Sequence, residues 1–134
     1  MKTILLLEDD QLLGEIFTEL IESAGLASVE AVQDPFEAYC AALTRPFDLL
    51  ICDYATPYVD GLTFLRMLRH KPTPNRTTSA ILMSGYTQQT LPPLNLDGLI
   101  YVAKPPQFDE LLDLIQTLLN GQTTPLPRAS TDGC

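Results

Sequence analysis

Two apolar runs in this 134-residue chain end on carboxylates, and two others end on a hydroxyl and an ammonium. "TILLL" at 3–7 runs into Glu8, Asp9 and Asp10, and "LLIC" at 49–52 delivers Asp53. "SAILMS" closes on Ser84, and "GLIYVA" is followed by Lys104. An ionised carboxylate at the lip of an apolar core is costly unless something pairs with it. Carboxylates gathered in one place repel, which raises a pKa or demands a cation. A hard divalent ion meets that demand, and magnesium takes a few carboxylates while waters and a phosphate oxygen complete its octahedron. In such a hollow Lys104 offers a point charge to a phosphoryl oxygen, and Ser84 offers a hydrogen bond to another. Asp53 is then a nucleophile that attacks phosphorus to give an aspartyl phosphate. Magnesium offsets charge on the transferring group, and positioning does most of the remaining catalysis.

Each of these residues alone reads as an ordinary one: "EDD" as solvated turn formers, Ser84 before Gly85 as a turn residue, Lys104 as a surface lysine. Their convergence on one edge outweighs those separate readings. Asp10 is expected to cap the first helix, and Asp60 to be a turn or N-cap residue before Gly61. Tyr54, Tyr58 and Tyr86 are expected to line the rim, with Tyr86, two past Ser84, placed to tune access to phosphate.

The elements that must position these groups alternate. After "TILLL", the stretch "QLLGEIFTELIESAG" predicts a helix with Leu12, Leu13, Ile16, Phe17, Leu20, Ile21 and Ala24 on one face and Gly25 as its stop. "ASVEAV" reads as a second strand. "DPFEAYCAAL" opens a helix with Asp34 as N-cap and Pro35 at the first helical position. "FDLLIC" is a third strand, "LTFLRMLRH" a third helix, "SAILMS" a fourth strand and "GLIYVA" a fifth. "FDELLDLIQTLLN" is a last amphipathic helix whose stripe (Leu111, Leu112, Leu114, Ile115, Leu118 and Leu119) belongs to the core and an interaction surface. Five strands alternating with about five helices imply βαβ units and a parallel sheet covered on both faces. Between strands four and five, "GYTQQTLPPLNLD" carries Pro92 and Pro93, which cannot sit inside a helix, so at most a turn around Thr87 to Leu91 is helical. In an open parallel sheet, function gathers at the carboxyl ends of the strands. The second strand contributes nothing comparable there.

Length favours one domain with a single substantial core. Apolar residues at 46% and charged residues at 19% are ordinary for a soluble globular chain. A net charge of −9 with only eight Lys and Arg argues against a nucleic-acid partner. No apolar run approaches a membrane span, and the N-terminus reads as a strand, not as a signal peptide. Cys40 and Cys52 read as small core residues and Cys134 lies in a polar tail, so a reducing, cytoplasmic compartment fits and a disulfide framework or zinc site does not. His70, the single histidine, reads as a solvated residue near a helix end.

From residue 2 to about 120 the chain resembles the receiver domain of bacterial two-component response regulators. "ILLLEDD" resembles the family's first strand and acidic pair, carried by Glu8 and Asp9. "DYATPYVDG" resembles the phosphoacceptor segment, with Asp53 as acceptor, Pro57 four residues on and Gly61 eight on. "ILMSG" supplies the switch hydroxyl, Ser84, and "YVAKP" the switch aromatic, Tyr101, with Lys104 and Pro105. The resemblance implies that the backbone carbonyl of Ala55 also binds the metal and that the Lys104–Pro105 bond is cis. It implies a flavodoxin-like α/β fold with strand order 2-1-3-4-5, a receiver at 1–120, and a flexible tail or linker start at 121–134.

The function implied is phosphorelay signalling. A histidine kinase or histidine phosphotransfer protein would supply the phosphoryl group to Asp53, with magnesium bound. Ser84 and Lys104 would draw inward, Tyr101 would fill a vacated space, and the altered surface would control a protein target. The chain would be a stand-alone regulator or an excised piece of a larger protein, a monomer or weak dimer, with no direct nucleic-acid or membrane partner. Two departures stand out: Thr56 where the family often has methionine, and the shortened fourth helix, which predicts weak or absent dimerisation through that face. One alternative is a haloacid-dehalogenase-like phosphatase, which wants a second aspartate where this chain has Ala55, and a cap domain. Another is a receiver fold kept as a binding module, against which the complete acid, hydroxyl and lysine set argues.

Overall fold

The computed structural model describes residues 1–86 and 88–121. Five strands are each five residues long: β1 Thr3–Leu7, β2 Ser28–Val32, β3 Leu49–Asp53, β4 Ala80–Ser84 and β5 Leu99–Ala103. They pair in parallel in the order β2-β1-β3-β4-β5. Four α-helices connect or follow them: α1 Gln11–Ser23, α2 Pro35–Thr44, α3 Gly61–Arg69 and α4 Phe108–Leu119. A three-residue 3₁₀ turn, Gln88–Thr90, stands where a further helix would join β4 to β5. The tail expected from residue 121 falls, after Gly121, outside the described residues, as does Cys134.

Local chemistry starts and stops these helices. The side chains of Asp10, Asp34 and Asp60 accept the N–H groups of Leu13, Phe36 and Thr63, satisfying donors that the first turn leaves open. Pro35 opens α2, where its missing N–H costs nothing. Gly25, at φ +72°, takes the left-handed conformation that ends α1.

Alternation along the strands splits the core into two layers. Leu5, Leu7, Leu50, Cys52 and Leu82 face α2 and α3 with Phe64 and Leu65. Ile4, Leu6, Ile51, Ile81 and Met83 face the other side with Phe17 and Ile21 of α1 and Ile115 of α4. Every residue of β3 and β4 is buried, as expected for central strands covered on both sides. Each fully buried Leu or Ile contributes about 1.5–3 kcal/mol.

Four apolar positions differ from expectation. Leu12 is 66% and Ile16 40% exposed, and Ala24, the residue that caps the end of α1, is exposed too, so α1 buries a narrower stripe, centred on Gly14, Phe17 and Ile21. Cys40 is exposed: α2 buries Ala38, Ala41 and Ala42, and Cys40 turns to the outer side. Cys52 does lie in the core, where burial pushes its thiol pKa up.

The prolines shape the connector from β4 to β5. Beyond its 3₁₀ turn it is irregular, and Leu94 and Leu96 pack onto the α2–α3 layer. Arg66 Nη2 donates to the Pro93 carbonyl at 2.9 Å, and Arg69 Nη2 to that of Asp97 at 3.3 Å. At the amino edge of the sheet, fully buried Asn75 works as a clasp. Its Oδ1 accepts the Phe47 N–H at 2.8 Å, and its Nδ2 donates to the carbonyls of Ala42 at 2.7 Å and Arg45 at 2.9 Å.

Candidate functional site

The chain leaves β1 outward to β2, then returns to place β3 on the other side of β1. That reversal opens a crevice at the carboxyl ends of β1 and β3, where an open α/β sheet holds its ligands. Glu8 and Asp9 follow β1 directly, and Asp53 is the last residue of β3. Glu8 and Asp53 are 2% and 4% exposed, while Asp9 faces solvent. One carboxylate oxygen from each lies within 4.8 Å of the others. The spacing is small enough for all three to share one ion.

Lys104 enters from the other side. Its backbone N–H donates to the Ser84 carbonyl at 2.8 Å, which fixes where the side chain starts. Its ammonium stands 3.0 Å from Glu8 Oε1 and 3.2 Å from Asp53 Oδ1. The Lys104–Pro105 peptide bond is cis.

Three clustered carboxylates, of which one ammonium pairs with Glu8 and Asp53, leave an excess of negative charge, and the titration equilibria register it. Burial pushes Glu8 up to about 7, against the lowering effect of its bond to Lys104, and the neighbouring charge of Asp53 adds to the rise. Burial also raises Asp53, with Lys104 opposing and Asp9 reinforcing. Burial pulls the Lys104 ammonium down, but its bonds to Glu8 and Asp53 outweigh that and hold it above its ordinary value. The donors are all hard oxygens and carry surplus negative charge, which fits one hard divalent cation of the magnesium class.

Gly61 brings the start of α3 against the end of β3. A β-carbon there would overlap the Asp53 carbonyl oxygen, so only glycine permits this approach. The Gly61 N–H donates to the Tyr54 carbonyl at 2.9 Å, closing the loop that carries Ala55. Sequence reasoning singles out Gly61 as part of a motif but has no signal for the contact that requires it.

Ser84 ends β4 and is 2% exposed. Its Oγ accepts the Tyr86 N–H at 2.9 Å. The half-buried Tyr101 on β5 donates its hydroxyl to the Tyr86 carbonyl and, at 3.4 Å, to that of Ser84. Tyr86 is thereby tied to both residues, and its ring meets Tyr54 edge-on at 6.1 Å. Tyr58 and Tyr86 are exposed and Tyr54 half-buried, consistent with a rim. The crevice thus unites Glu8, Asp9, Asp53 and Lys104, while Ser84 and Tyr101 form a second, linked hydrogen-bonded group along the β4–β5 side.

A family model described as the response regulator receiver domain matches residues 4–116. Over 118 residues the chain is 32% identical to the transcriptional regulatory protein CusR of Escherichia coli (strain K12), covering 87% of this chain and 50% of that protein. The chain thus spans about half the length of the curated relative it matches. A CheY-like response regulator receiver domain from Methylobacillus flagellatus is 28% identical with a TM-score of 0.76, covering 88% of this chain and 98% of that one. The receiver domain of the sensor histidine kinase PA1611 of Pseudomonas aeruginosa PAO1, solved with a magnesium ion coordinated in its active site cleft, shares the fold. It has a TM-score of 0.78 at 24% identity, covering 89% of this chain and 98% of that one. Strand order, crevice and family match agree: the chain belongs to the response regulator receiver domain family.

Proposed function

We propose that Asp53 is the phosphoacceptor of a phosphorelay and that residues 1–120 act as the receiver unit. The observation that carries this is the Asp53 carboxylate 3.2 Å from the Lys104 ammonium and within 4.8 Å of Glu8 and Asp9 oxygens. The carboxylates of Glu8, Asp9 and Asp53, with the Ala55 carbonyl, would hold magnesium. When bound, magnesium supplies positive charge beside the phosphoryl oxygens and lowers the barrier to transfer.

The protein's own groups do the rest. An Asp53 oxygen attacks the phosphorus of a phosphohistidine in a histidine kinase or phosphotransfer protein. The O–P bond forms as the P–N bond breaks, and the leaving imidazole takes a proton. Lys104 shifts its charge onto a phosphoryl oxygen. The Ser84 hydroxyl donates to another, giving up its bond from the Tyr86 N–H, and Tyr101 then moves with the Tyr86 carbonyl it holds. This turns a local charge into a surface change at β4 and β5 that a protein target reads.

The role is signalling by single modification and not turnover of substrates. Ala55 stands two residues after Asp53, so that position offers no general acid. A cytoplasmic setting fits the family's kinases, and among the described residues no helix is long and apolar enough to cross a membrane. The irregular connector between β4 and β5 removes a helical face for pairing, which favours a monomer or weak dimer.

Beryllofluoride and acetyl phosphate with magnesium test the assignment. Mass spectrometry should find a single phosphoryl adduct at Asp53, and Asp53→Asn should abolish it. Steady turnover of small phosphate esters by the wild type would refute it in favour of a phosphatase.

A further inference from the structure

Two aromatic rings stand in solvent at the carboxyl edge of the sheet, outside the hollow around Asp53. Tyr58, in the loop after β3, is 89% exposed, and Phe36, in the first turn of α2, is 55% exposed. Their ring centroids are 6.2 Å apart at a tilt of 38°. Tyr58 also holds φ +70°, a left-handed conformation that suits glycine and strains a tyrosine. Its ring contact with Phe36 leaves most of both rings in water. The loop itself holds this conformation: the Val59 N–H donates to the Pro57 carbonyl at 2.8 Å across Tyr58, and the Thr56 hydroxyl donates to the Val59 carbonyl, so the ring is presented to solvent by a fixed turn.

The charge around the pair says what would cover it. Residues 3–44 hold nine Asp and Glu and no Lys, Arg or His, while residues 45–134 hold eight acids against seven Lys and Arg. Nearly all of the net charge of −9 therefore sits on the flank built from β1, α1, β2 and α2. Lys2 and Arg45 lie at the far, amino-terminal edge of that flank, and Arg45 is paired with Glu30. A groove of about 420 Å³ runs between α1 and β2 and reaches α2 at Glu37, the chain neighbour of Phe36; Glu15 and Glu19 line it, and Glu8 closes its end toward the carboxylate hollow.

We propose that Phe36 and Tyr58, with the acidic groove beside them, form a docking surface for a basic segment of a protein partner, an arginine of which lies on the two rings. A guanidinium is planar, stacks on aromatic faces and pairs with carboxylates, so it satisfies both halves of the surface. A second copy of this chain is the poorer occupant, because the rest of the molecule offers no excess positive charge to the acidic flank. The groove shares Glu8 with the carboxylate hollow, but the two rings and Glu15, Glu19 and Glu37 lie outside the Asp53 site, and occupancy is read without phosphorylation.

The probe is a helical alanine–leucine peptide bearing a face of arginines, set against the same peptide with citrulline in place of arginine. NMR titration of the full chain should shift the Phe36 and Tyr58 ring signals with the arginine peptide only. A Phe36→Ala/Tyr58→Gly double variant should bind about fivefold more weakly, the loss expected for an exposed cation–π contact. Glycine suits the φ at position 58, so that variant keeps its fold. Neutralising Asp109, Glu110 and Asp113 on α4 should change affinity far less than neutralising Glu15, Glu19 and Glu37. Equal losses from the two charge sets, or unchanged binding by the aromatic variant, would overturn the proposal. Sedimentation showing self-association that Tyr58→Gly abolishes would also overturn it, making the occupant a second copy.

Discussion

Lys104 meets Asp53 across an intervening strand. Asp53 ends β3, Lys104 follows β5, and the ammonium spans the end of β4 to stand 3.2 Å from the carboxylate. The contact therefore reports the relative placement of three strand ends at once. It also sets up a competition, because a bound cation and the lysine answer the same surplus of negative charge.

Lys104→Met should expose that competition. Without metal the variant should lose about 1–3 kcal/mol, since two nearly buried carboxylates are left with less compensation. Added magnesium should restore more stability to the variant than to the wild type. Thermal melts with and without magnesium measure both quantities, and an equal magnesium increment in the two proteins would contradict the account.

The pH dependence of stability follows from Glu8. Burial raises it from an ordinary 4.5 to about 7, so the folded chain holds this proton more tightly than the unfolded chain. Folding then takes up a proton between those values, and metal-free stability should fall as pH rises through that window. Asp53 shifts in the same direction. Magnesium needs the ionised carboxylates, so the stability it adds should be larger at the upper end of the window than at the lower. Urea titrations at stepped pH, with and without magnesium, would show it.

Gly61→Ala should act on both fold and site. Its new β-carbon meets a backbone oxygen, which cannot swing aside as a side chain would. A loss of about 1–3 kcal/mol is expected from the forced backbone shift. Because the shift bears on Asp53 itself, magnesium affinity should drop as well, measurable by calorimetric titration.

Asn75→Ala should separate stability from the site. It strands the Phe47 N–H and the carbonyls of Ala42 and Arg45, a cost of about 2–4 kcal/mol for buried groups without partners. The clasp lies at the opposite edge of the sheet from the carboxylates. Chemical denaturation should report the loss, while magnesium affinity of the folded variant stays at the wild-type value.

Much of this architecture is legible from local pattern. Asp10, Asp34 and Asp60 stand directly before apolar-periodic segments, and each caps the helix it precedes. Pro92 and Pro93 predict the missing helix, because proline's limits on the backbone hold in any tertiary setting. Leu12, Ile16, Ala24 and Cys40 went the other way. α1 is apolar over more of its circumference than a two-layer packing needs, and α2 is so uniformly apolar that its periodicity does not mark an outward position. Asn75 has no local signal at all: its partners are 28 to 33 residues away, and an asparagine in a polar connector looks like any turn residue. The carboxylate hollow was readable for the opposite reason. Its members sit at strand ends, and strand ends in a parallel sheet have a known destination.

The lopsided distribution of charge acts before any surface is touched. An oppositely charged partner exerts a torque on such a molecule and turns it acidic side first, so productive encounters begin already aligned. The bias reaches about 10 Å at 0.1 M salt and shrinks as salt is added, so capture should slow with ionic strength even where the final complex is unchanged.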